Sequence, residues 1–213
     1  MINSQYKGFS WKEYTKYENQ QFENCDFTNA VFEKAAFKNV TFKDCLFFKC
    51  NVNHIGLWSS NFFNCKFIGV DLRNMPIGAD GGLFEDCLFQ RCDFRGQYFW
   101  YPLFRKCIFE NSKLKKIDFN DASFHYCKFI GKLEDVTFNG IYHKKDTGLK
   151  PLDYVDFSEA IFGDYVGFEN CDLSTCTPPF GKTFEELLYI VDLNDMGHLS
   201  TGTKDRDVIP RKQ

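Results

Sequence analysis

The chain has 213 residues, a length that suits one elongated domain or two small ones. Its 26 basic and 29 acidic residues give a formal net charge of −3, which excludes nucleic-acid binding driven by overall charge. No stretch approaches about 18 consecutive apolar residues, so the sequence predicts neither a transmembrane helix nor a membrane partner. The N-terminus lacks the basic-then-apolar order of a secretory signal, and we therefore expect a cytoplasmic protein.

Residues 1–21 precede the first regular repeat and carry several aromatic side chains. Phe9, Trp11, Tyr14 and Tyr17 supply enough apolar area to close one end of a core. An open end of a repeat structure exposes unpaired backbone and core side chains, so it needs such a cover. We therefore predict that residues 1–21 form an N-terminal cap.

From Phe22 onward, a large apolar residue returns at every fifth position. Phe occupies 17 of the 21 positions in this series up to Phe129, with a two-residue slip between Leu72 and Phe84. A period of five matches neither a helix nor a plain strand. A second inward position lies two residues earlier, which is the same-face spacing of a strand, and the remaining residues must turn. Each pentapeptide is therefore predicted to be a short strand and a corner, and stacked turns make a β-helix.

The ten cysteines indicate how many residues form one layer. Two sets of three recur at a constant spacing of twenty positions: Cys25, Cys45 and Cys65, and then Cys87, Cys107 and Cys127. This spacing predicts layers of four sides, each side formed by one pentapeptide. All ten cysteines lie two residues before a repeat position, where small apolar residues also occur, so we predict reduced, inward-facing thiols. A layer spacing of about 4.8 Å also fits poorly with the Cβ separation of about 3.8 Å in a disulfide.

Several of these pentapeptides resemble the consensus of the pentapeptide repeat family, which is a small residue, Asp or Asn, Leu or Phe, a small polar residue, and any residue. Cys25-Asp26-Phe27-Thr28-Asn29 and Cys92-Asp93-Phe94-Arg95-Gly96 carry this pattern. The resemblance covers residues 22–178 and implies an all-β fold, a right-handed quadrilateral β-helix solenoid. The repeat is specific for this fold and nearly silent about function.

The repeat is interrupted twice. Near residues 75–82, two additional residues and three glycines predict a bulged loop on one edge. Near residues 139–153, a longer insertion leaves the wall before the repeats resume at Phe157. Loops inserted into solenoids often belong to a binding surface, and they can equally be tolerated variation. Both interpretations stay open for the longer insertion, and the second is favoured for the shorter one.

The C-terminal part of the chain changes character after residue 178. Thr183-Phe184-Glu185-Glu186 fits a capping box, and Phe184, Leu187, Leu188 and Val191 follow a helical i, i+3, i+4, i+7 stripe. We predict a helical cap over residues 179–196, with a helix from about Phe184 to Asp195, and a flexible tail over residues 197–213. The helix could cover the last layer or pair with another subunit. Resistance proteins of the resembled family dimerise through such an element, which implies a possible homodimer.

Each candidate motif for a catalytic, cofactor or metal site in the sequence lacks residues that the site requires. Gly181-Lys182-Thr183 resembles the end of a phosphate-binding loop, but Cys176 occupies the position of its first glycine. The four histidines are scattered, and no Gly-x-Ser-x-Gly nucleophile motif occurs. We therefore predict a non-enzyme without a cofactor or metal.

Two sides of the predicted coil carry distinctive outward residues, which are aromatic on one side and basic on the other. Trp58, Tyr98, Trp100 and Tyr101 project from one side, where they form a candidate partner surface unless the Gly78–Gly82 loop covers them. The neighbouring side carries a row of Arg73, Arg95 and Lys115, which we interpret as an ordinary solvated face.

Acidic residues are concentrated toward the end of the chain, where residues 151–196 hold ten of them and Lys182 as the one base. The candidate acidic surface consists of Asp153, Asp156, Glu159, Asp164, Glu169 and Asp172. Some members of the resembled family imitate DNA and protect DNA gyrase from inhibitors, which implies that such a surface could bind a type II topoisomerase. An acidic run is more often a feature of solubility.

Two functions follow from these observations. The favoured one is a non-enzymatic, rigid protein-binding solenoid, either a scaffold or an immunity-type module. The alternative is a DNA mimic that binds gyrase, and a type II topoisomerase is the most concrete candidate partner. Direct binding of nucleic acid is not expected.

Overall fold

Short strands alternate with tight corners along the chain, as the five-residue period predicts. The computed structural model describes residues 1–11, 15–120, 122–140, 149–192 and 195–202. Most strands span three residues, with a buried central side chain between two outward ones. No helix in these ranges is long and apolar enough to cross a membrane.

The elements in chain order are β1 (Lys16–Glu18), β2 (Gln21–Glu23), β3 (Ala36–Lys38), β4 (Thr41–Lys43), β5 (Leu46–Phe48), β6 (Gly56–Trp58), β7 (Asn61–Phe63), β8 (Lys66–Ile68), β9 (Leu83–Glu85), β10 (Leu88–Gln90), β11 (Leu103–Arg105), β12 (Ile108–Glu110), β13 (Leu114–Asp118), β14 (Ser123–His125), β15 (Lys128–Asn139), β16 (Leu152–Asp153), β17 (Asp156–Phe162), β18 (Val166–Glu169), α1 (Phe184–Leu187), β19 (Tyr189–Asp192) and β20 (Asp195–Ser200).

Strands one layer apart pair in parallel, and the register of most pairs repeats the spacing of the cysteines. Thus β2 aligns Phe22 with Phe42 of β4, and β10 aligns Phe89 with Phe109 of β12. This register confirms the predicted β-solenoid with four sides per layer.

We number the sides by their columns of inward residues. Side 1 holds Phe22, Phe42, Phe62, Phe84, Phe104 and Phe124; side 2 holds Phe27, Phe47, Phe67, Phe89, Phe109 and Phe129; side 3 holds Phe32, Val52, Leu72, Phe94, Leu114 and Leu133; side 4 holds Phe37, Leu57, Ile77, Phe99, Phe119 and Phe138. All of these side chains are buried.

The phenylalanine rings pack in two ways within this core. Along side 1, the rings of Phe42 and Phe62 are stacked with centroids 4.9 Å apart and planes 5° apart. Between sides 1 and 2, Phe62 meets Phe67 edge-to-face at 5.5 Å. Both arrangements are favourable for aromatic pairs. The stacking distance is close to the strand spacing of about 4.8 Å, so one ring fills one layer of each aromatic column.

The corners depend on residues that accept the left-handed backbone conformation. Asn19, Asn24 and Asn39 have φ of 53°, 52° and 52°, a region in which asparagine is enriched among non-glycine residues. Corner side chains also connect the layers, since Asn64 Nδ2 donates to Asp44 Oδ1 at 2.6 Å. The small polar and variable positions of the pentapeptide therefore form the corners.

The ten cysteines are free thiols, as predicted. Eight are buried, and they donate hydrogen bonds to carbonyl oxygens of the layer before; Cys107 Sγ, for example, lies 3.3 Å from the oxygen of Phe84. Burial raises the pKa of the Cys50 and Cys92 thiols to about 12, so these two stay protonated donors.

The interruptions of the period have different consequences. The two additional residues of the shorter one lie before Phe84, because Phe62 pairs with Phe84 at a spacing of 22 whereas Phe42 pairs with Phe62 at the regular spacing of 20. The core continues up to the longer one with Leu133 and Phe138, which the sequence analysis did not include among the inward residues. Phe124 then pairs with Leu152, so this turn of the coil is longer than a regular one. Residues 141–148 of this insertion lie outside the described part of the chain.

The N-terminal residues form a further layer of the coil. Gln5 pairs with Asp26 and Lys16 with Ala36 in parallel. The ring of Trp11 stacks on Phe32 with centroids 4.4 Å apart, and Tyr17 stacks on Phe37 at 5.1 Å. The predicted cap therefore continues the aromatic columns of the solenoid.

The predicted C-terminal helix from Phe184 to Asp195 is wrong in its extent. The capping box is present, since Glu186 N donates to Thr183 Oγ1 at 3.2 Å, but α1 ends at Leu187. Leu188 is extended, and β19 then pairs with β20 in an antiparallel hairpin. Tyr189, Ile190 and Val191 are residue types that favour strands, and pairing with β20 overrides the helical stripe. The tail predicted from residue 197 starts inside β20, and residues 203–213 lie outside the described part.

We expect Phe89→Ala to lower the free energy of unfolding by about 3–5 kcal/mol, the usual cost of a large-to-small change in a core. The Phe89 ring stacks on Phe67 and Phe109 with centroids 5.0 Å away on each side. The matched control is Phe63→Ala, which removes an outward ring of β7 and should cost less than about 1 kcal/mol. Denaturant unfolding measures both, and equal losses would contradict the assignment of inward and outward positions.

Candidate functional site

Four exposed aromatic side chains lie on the outer face of side 4 or at its corner. Trp58 is 42% exposed, Tyr98 78%, Trp100 57% and Tyr101 40%. We call these four residues the aromatic surface. The structure places all four residues on the side that the sequence analysis selected, with Trp58 two layers from Trp100.

Trp58 lies flat on the strand that carries it. A Cβ atom at Gly56 would collide with the far edge of the indole ring. The absence of a side chain at Gly56 therefore gives the ring its seat, and the opposite ring face is open to solvent. Lys38 and Asp80 line the shallow groove beside the ring.

The Gly78–Gly82 bulge separates Trp58 from Trp100 without covering either ring. It is packed tightly between layers, since a Cβ atom at Gly78 would lie 2.6 Å from Pro102 N. Gly78 also has a φ of 85°, so this position favours glycine for its backbone as well. The interpretation that the loop hides the aromatic rings is wrong, and the bulge instead places Asp80 beside Trp58.

The segment Tyr98–Tyr101 borders a groove of about 500 Å³ whose other lining residues include Lys116, Asp118 and Asn120. Asn120 Oδ1 is buried and accepts no hydrogen bond from any described residue. Tyr101 occupies a left-handed corner with φ of 57°, a conformation that is uncommon for a bulky side chain. The groove thus offers aromatic rings together with one basic, one acidic and two amide side chains, the second amide being that of Gln97.

Sequence reasoning missed the polar residues of these grooves, although a signal for them exists. Asp118 and Asn120 follow Tyr98 and Trp100 by one regular layer of the repeat, so the register places them on the same side. Asp80 has no such signal, because it lies in the two-residue bulge that breaks the register.

The basic row on side 3 is neutralised by acids of the same side. The ion pairs are Arg73 with Asp71, Arg95 with Asp93, Lys113 with Asp93, and Lys115 and Lys132 with Glu134. At Arg73, Nη2 lies 2.6 Å from Asp71 Oδ2. This ladder agrees with the interpretation of side 3 as a solvated face.

The six candidate acidic residues do not form one surface. Asp153 lies above His125 on side 1, Asp156 above Lys128 on side 2, and Glu169 above Asn139 on side 4.

Lysines from the preceding layer neutralise several of these acids. Lys128 Nζ lies 3.1 Å from Asp156 Oδ2 and 2.8 Å from Glu159 Oε1. Lys150 Nζ lies 3.4 Å from Asp172 Oδ2. Asp164 is exposed in the turn before β18. The acidic stretch of sequence is therefore spread around the coil and partly paired with bases.

The apolar residues proposed for a cap or dimer helix cover the last layer of the same chain. Phe184 and Leu188 are buried, and the Phe184 ring lies 6.2 Å from that of Phe168. Leu187 is partly buried against the core. Val191 lies in β19, and its side chain is outside the described part. Phe184 and Leu188 are thus used within the subunit.

The described residues contain no group of three or more His, Cys, Asp or Glu side chains that could hold a metal ion.

Comparisons with known proteins give partial matches. A family model described as the SV2A/B/C luminal domain matches residues 7–80, which is less than half of the chain. A comparison with curated proteins gives no significant match.

Solved structures that are similar include two repeat proteins. A trypsin-treated form of QnrB1, a plasmid-mediated fluoroquinolone resistance protein, is 19% identical, with 88% of this chain and 91% of that chain covered and a TM-score of 0.30. HetL, a pentapeptide repeat protein involved in heterocyst differentiation regulation from the cyanobacterium Nostoc sp., is 14% identical over 84% of this chain and 82% of that chain, with a TM-score of 0.29. These scores are low, so our account of the fold rests on the strand register of this chain.

We expect acid to weaken the ladder on side 3 through Asp93. Burial raises the pKa of this carboxyl, but hydrogen bonds from Arg95 and the charges of Arg95 and Lys113 outweigh burial and lower the pKa to about 2, from an ordinary value of 3.8. A carboxyl with a lowered folded-state pKa stabilises the fold above its unfolded pKa, and this stabilisation is lost as the pH falls through the folded value. The free energy of unfolding should therefore fall between about pH 4 and pH 2, and less steeply in Asp93→Asn.

Denaturant unfolding across this pH range measures the effect. The matched control is Asp86→Asn, which changes an exposed corner carboxyl and should keep the wild-type slope. Identical slopes for Asp93→Asn and the wild type would contradict the role of Asp93.

Proposed function

We propose that this chain is a non-enzymatic, rigid solenoid that binds another protein through the aromatic surface on side 4. The observation that carries the proposal is the grouping of Trp58, Tyr98, Trp100 and Tyr101, all 40% exposed or more, on one side. Tryptophan and tyrosine are enriched among the residues that contribute most to binding at protein interfaces. Exposed rings of this number have no role in the core, which the inward columns already fill.

The rigidity of the coil supports the same proposal. The Trp58 ring is seated on Gly56, and the Tyr98 segment follows Gln97, whose buried side chain donates to the Met75 carbonyl oxygen. Side chains that are held before binding lose little conformational entropy when a partner arrives. The surface therefore suits tight contact without rearrangement of the solenoid.

The grooves indicate the chemistry of a suitable partner. Lys38 and Asp80 flank Trp58, and Lys116 and Asp118 flank the Tyr98–Tyr101 segment. A matching protein segment would place apolar side chains against the rings and polar or charged groups against these four residues. An interface of this kind has an apolar centre and a polar rim, as protein interfaces commonly do.

The non-enzymatic part of the proposal rests on the burial of eight of the ten cysteines in the core, where no substrate reaches their thiols. Burial raises the pKa of Cys50 and Cys92 to about 12, which makes these two poor nucleophiles. The same proposal places the protein in the cytoplasm, where ten free cysteines stay reduced.

The DNA-mimic alternative has less support from the geometry. A DNA mimic needs carboxylates in a continuous array, whereas Asp153, Asp156 and Glu169 lie on three different sides. Lys128 further neutralises Asp156 and Glu159. A type II topoisomerase stays a candidate partner that experiment must test.

We expect the double variant Trp58→Ala/Trp100→Ala to lose its protein partner while the thermal midpoint changes little. The two rings are exposed and outside the core, so their removal affects binding more than folding. Affinity capture with the purified protein as bait, followed by quantitative mass spectrometry, compares partner recovery. The matched control is Tyr126→Ala/Tyr154→Ala, which removes an exposed, stacked aromatic pair from another side.

A finer variant keeps both tryptophans. In Gly56→Ala the new methyl group occupies the seat of the Trp58 ring and must displace it. Partner recovery should fall in this variant as well. Equal recovery with the wild type and the tryptophan double variant would reject the proposed surface.

We also expect the purified protein to leave gyrase supercoiling and its inhibition by a quinolone unchanged. The reason is the dispersal and pairing of the carboxylates on the last layers. A supercoiling assay with and without the drug measures both effects. Inhibition or drug protection that is lost in Asp156→Lys/Asp164→Lys would replace our proposal with the DNA-mimic function.

A further inference from the structure

The two tryptophans of the aromatic surface occupy equivalent positions of side 4, two layers apart. Trp58 and Trp100 each follow an inward residue of this side by one position, and Gly78 holds the same position in the layer between them. The strand spacing of about 4.8 Å places the backbone of the two tryptophans about 9.6 Å apart along the solenoid axis. Because the position between them is a glycine, no side chain of this column separates the two indoles.

The two grooves beside these tryptophans are lined by aromatic and polar side chains. Among the described lining residues, Ala36 is the one aliphatic side chain. An amphipathic helix binds by placing a stripe of apolar residues into a hydrophobic groove, and such a groove needs apolar walls. Segments rich in proline instead bind on aromatic rings, which both grooves provide.

The charges of the lining residues balance within each groove. Beside Trp58 there are two bases and two acids, namely Lys16, Lys38, Glu18 and Asp80. Beside the segment Tyr98–Tyr101 there are one base and one acid, Lys116 and Asp118. A strongly acidic or strongly basic ligand would therefore find no net opposite charge here. The charge balance favours a ligand segment without net charge.

We propose that the partner segment bound by the aromatic surface is an uncharged, proline-rich segment in the polyproline II conformation, an inference that rests on the proposed function of this surface. A polyproline II helix has three residues per turn and rises about 3.1 Å per residue, so its equivalent positions recur every about 9.3 Å. This repeat matches the about 9.6 Å between Trp58 and Trp100. Two prolines three residues apart can therefore each contact one indole ring.

Hydrogen bonding favours the same ligand. A polyproline II segment has no internal hydrogen bonds, so its carbonyl oxygens need donors from the protein that binds it. The indole N–H groups of Trp58 and Trp100 and the ammonium group of Lys38 are donors only. An α-helix uses its carbonyl oxygens internally. An added strand would need free backbone groups on side 4, but Asn39 N donates to Trp58 O, and Trp100 N donates to Ile77 O.

The test uses a fluorescently labelled, uncharged peptide of about twelve residues, or about four turns, with proline at every third position. Fluorescence anisotropy with the full chain measures binding. The matched peptide has the same composition with proline at every second position, so that no two prolines lie one turn apart. We expect the first peptide to bind saturably and the second to bind at least about tenfold more weakly.

The three tryptophans of the chain give a second readout, because each contributes one indole N–H resonance to the NMR spectrum. The peptide should shift the resonances of Trp58 and Trp100 and leave that of the buried Trp11 unchanged. Trp58→Ala and Trp100→Ala should each weaken binding by about tenfold or more. The milder Trp58→Phe, which keeps a ring and loses the N–H donor, should weaken it less.

The control variant Tyr126→Ala/Tyr154→Ala, which removes an exposed aromatic pair from another side, should bind the peptide within about twofold of the wild type. Equal binding of the two peptides would overturn the inference, as would tighter binding of an uncharged helical peptide that shifts the same indole resonances. If affinity capture finds a partner that depends on both tryptophans while the proline peptide does not bind, the inference is wrong and the proposed function stands.

Discussion

The stacking of phenylalanine rings at the spacing of hydrogen-bonded strands supports the whole molecule. Backbone pairing holds neighbouring layers about 4.8 Å apart, and rings such as Phe62 and Phe84 stack with centroids 4.7 Å apart. The two requirements are met together, because an offset stacked pair of rings needs nearly the same separation as a pair of strands. Cysteine thiols fill the space between the rings and donate to carbonyl oxygens of the layer before. The coil can then repeat without gaps, and the inward residues of each layer are fixed by the layer beneath.

The same constraint explains why much of the fold was predictable from the sequence. The spacing of 5 between apolar residues predicts that Phe89 points inward, and the spacing of 20 between cysteines predicts the same for Cys107. Both spacings hold in the strand register. Leu133 and Phe138 escaped prediction because the register slips there: Leu114 pairs with Leu133 at a spacing of 19. The five-residue period predicts inward positions only where the repeat is regular. The prediction of a longer C-terminal helix was wrong for a different reason. The helical pattern of apolar residues that starts at Phe184 does not show that a later strand, β20, pairs with β19.

The candidate site was predictable to the extent that it follows the layer register. Trp58 and Trp100 could be placed on one side from their positions alone, and the structure places them there. The seat of the Trp58 ring on Gly56 depends on a side-chain rotamer, which the sequence does not show. The pairing of Asp156 and Glu159 with Lys128 depends on a register change within β15 and β17, so the acidic stretch could not be recognised as neutralised.

The separation of inward and outward positions lets the surface of the coil vary without a change in its core. Phe48 and Trp58 belong to the same layer but leave it on opposite sides, and the buried ring of Phe47 and side chain of Leu57 lie between them. A change at an outward position alters one surface without altering the stacking beneath it, because the strand presents its core residue in the other direction.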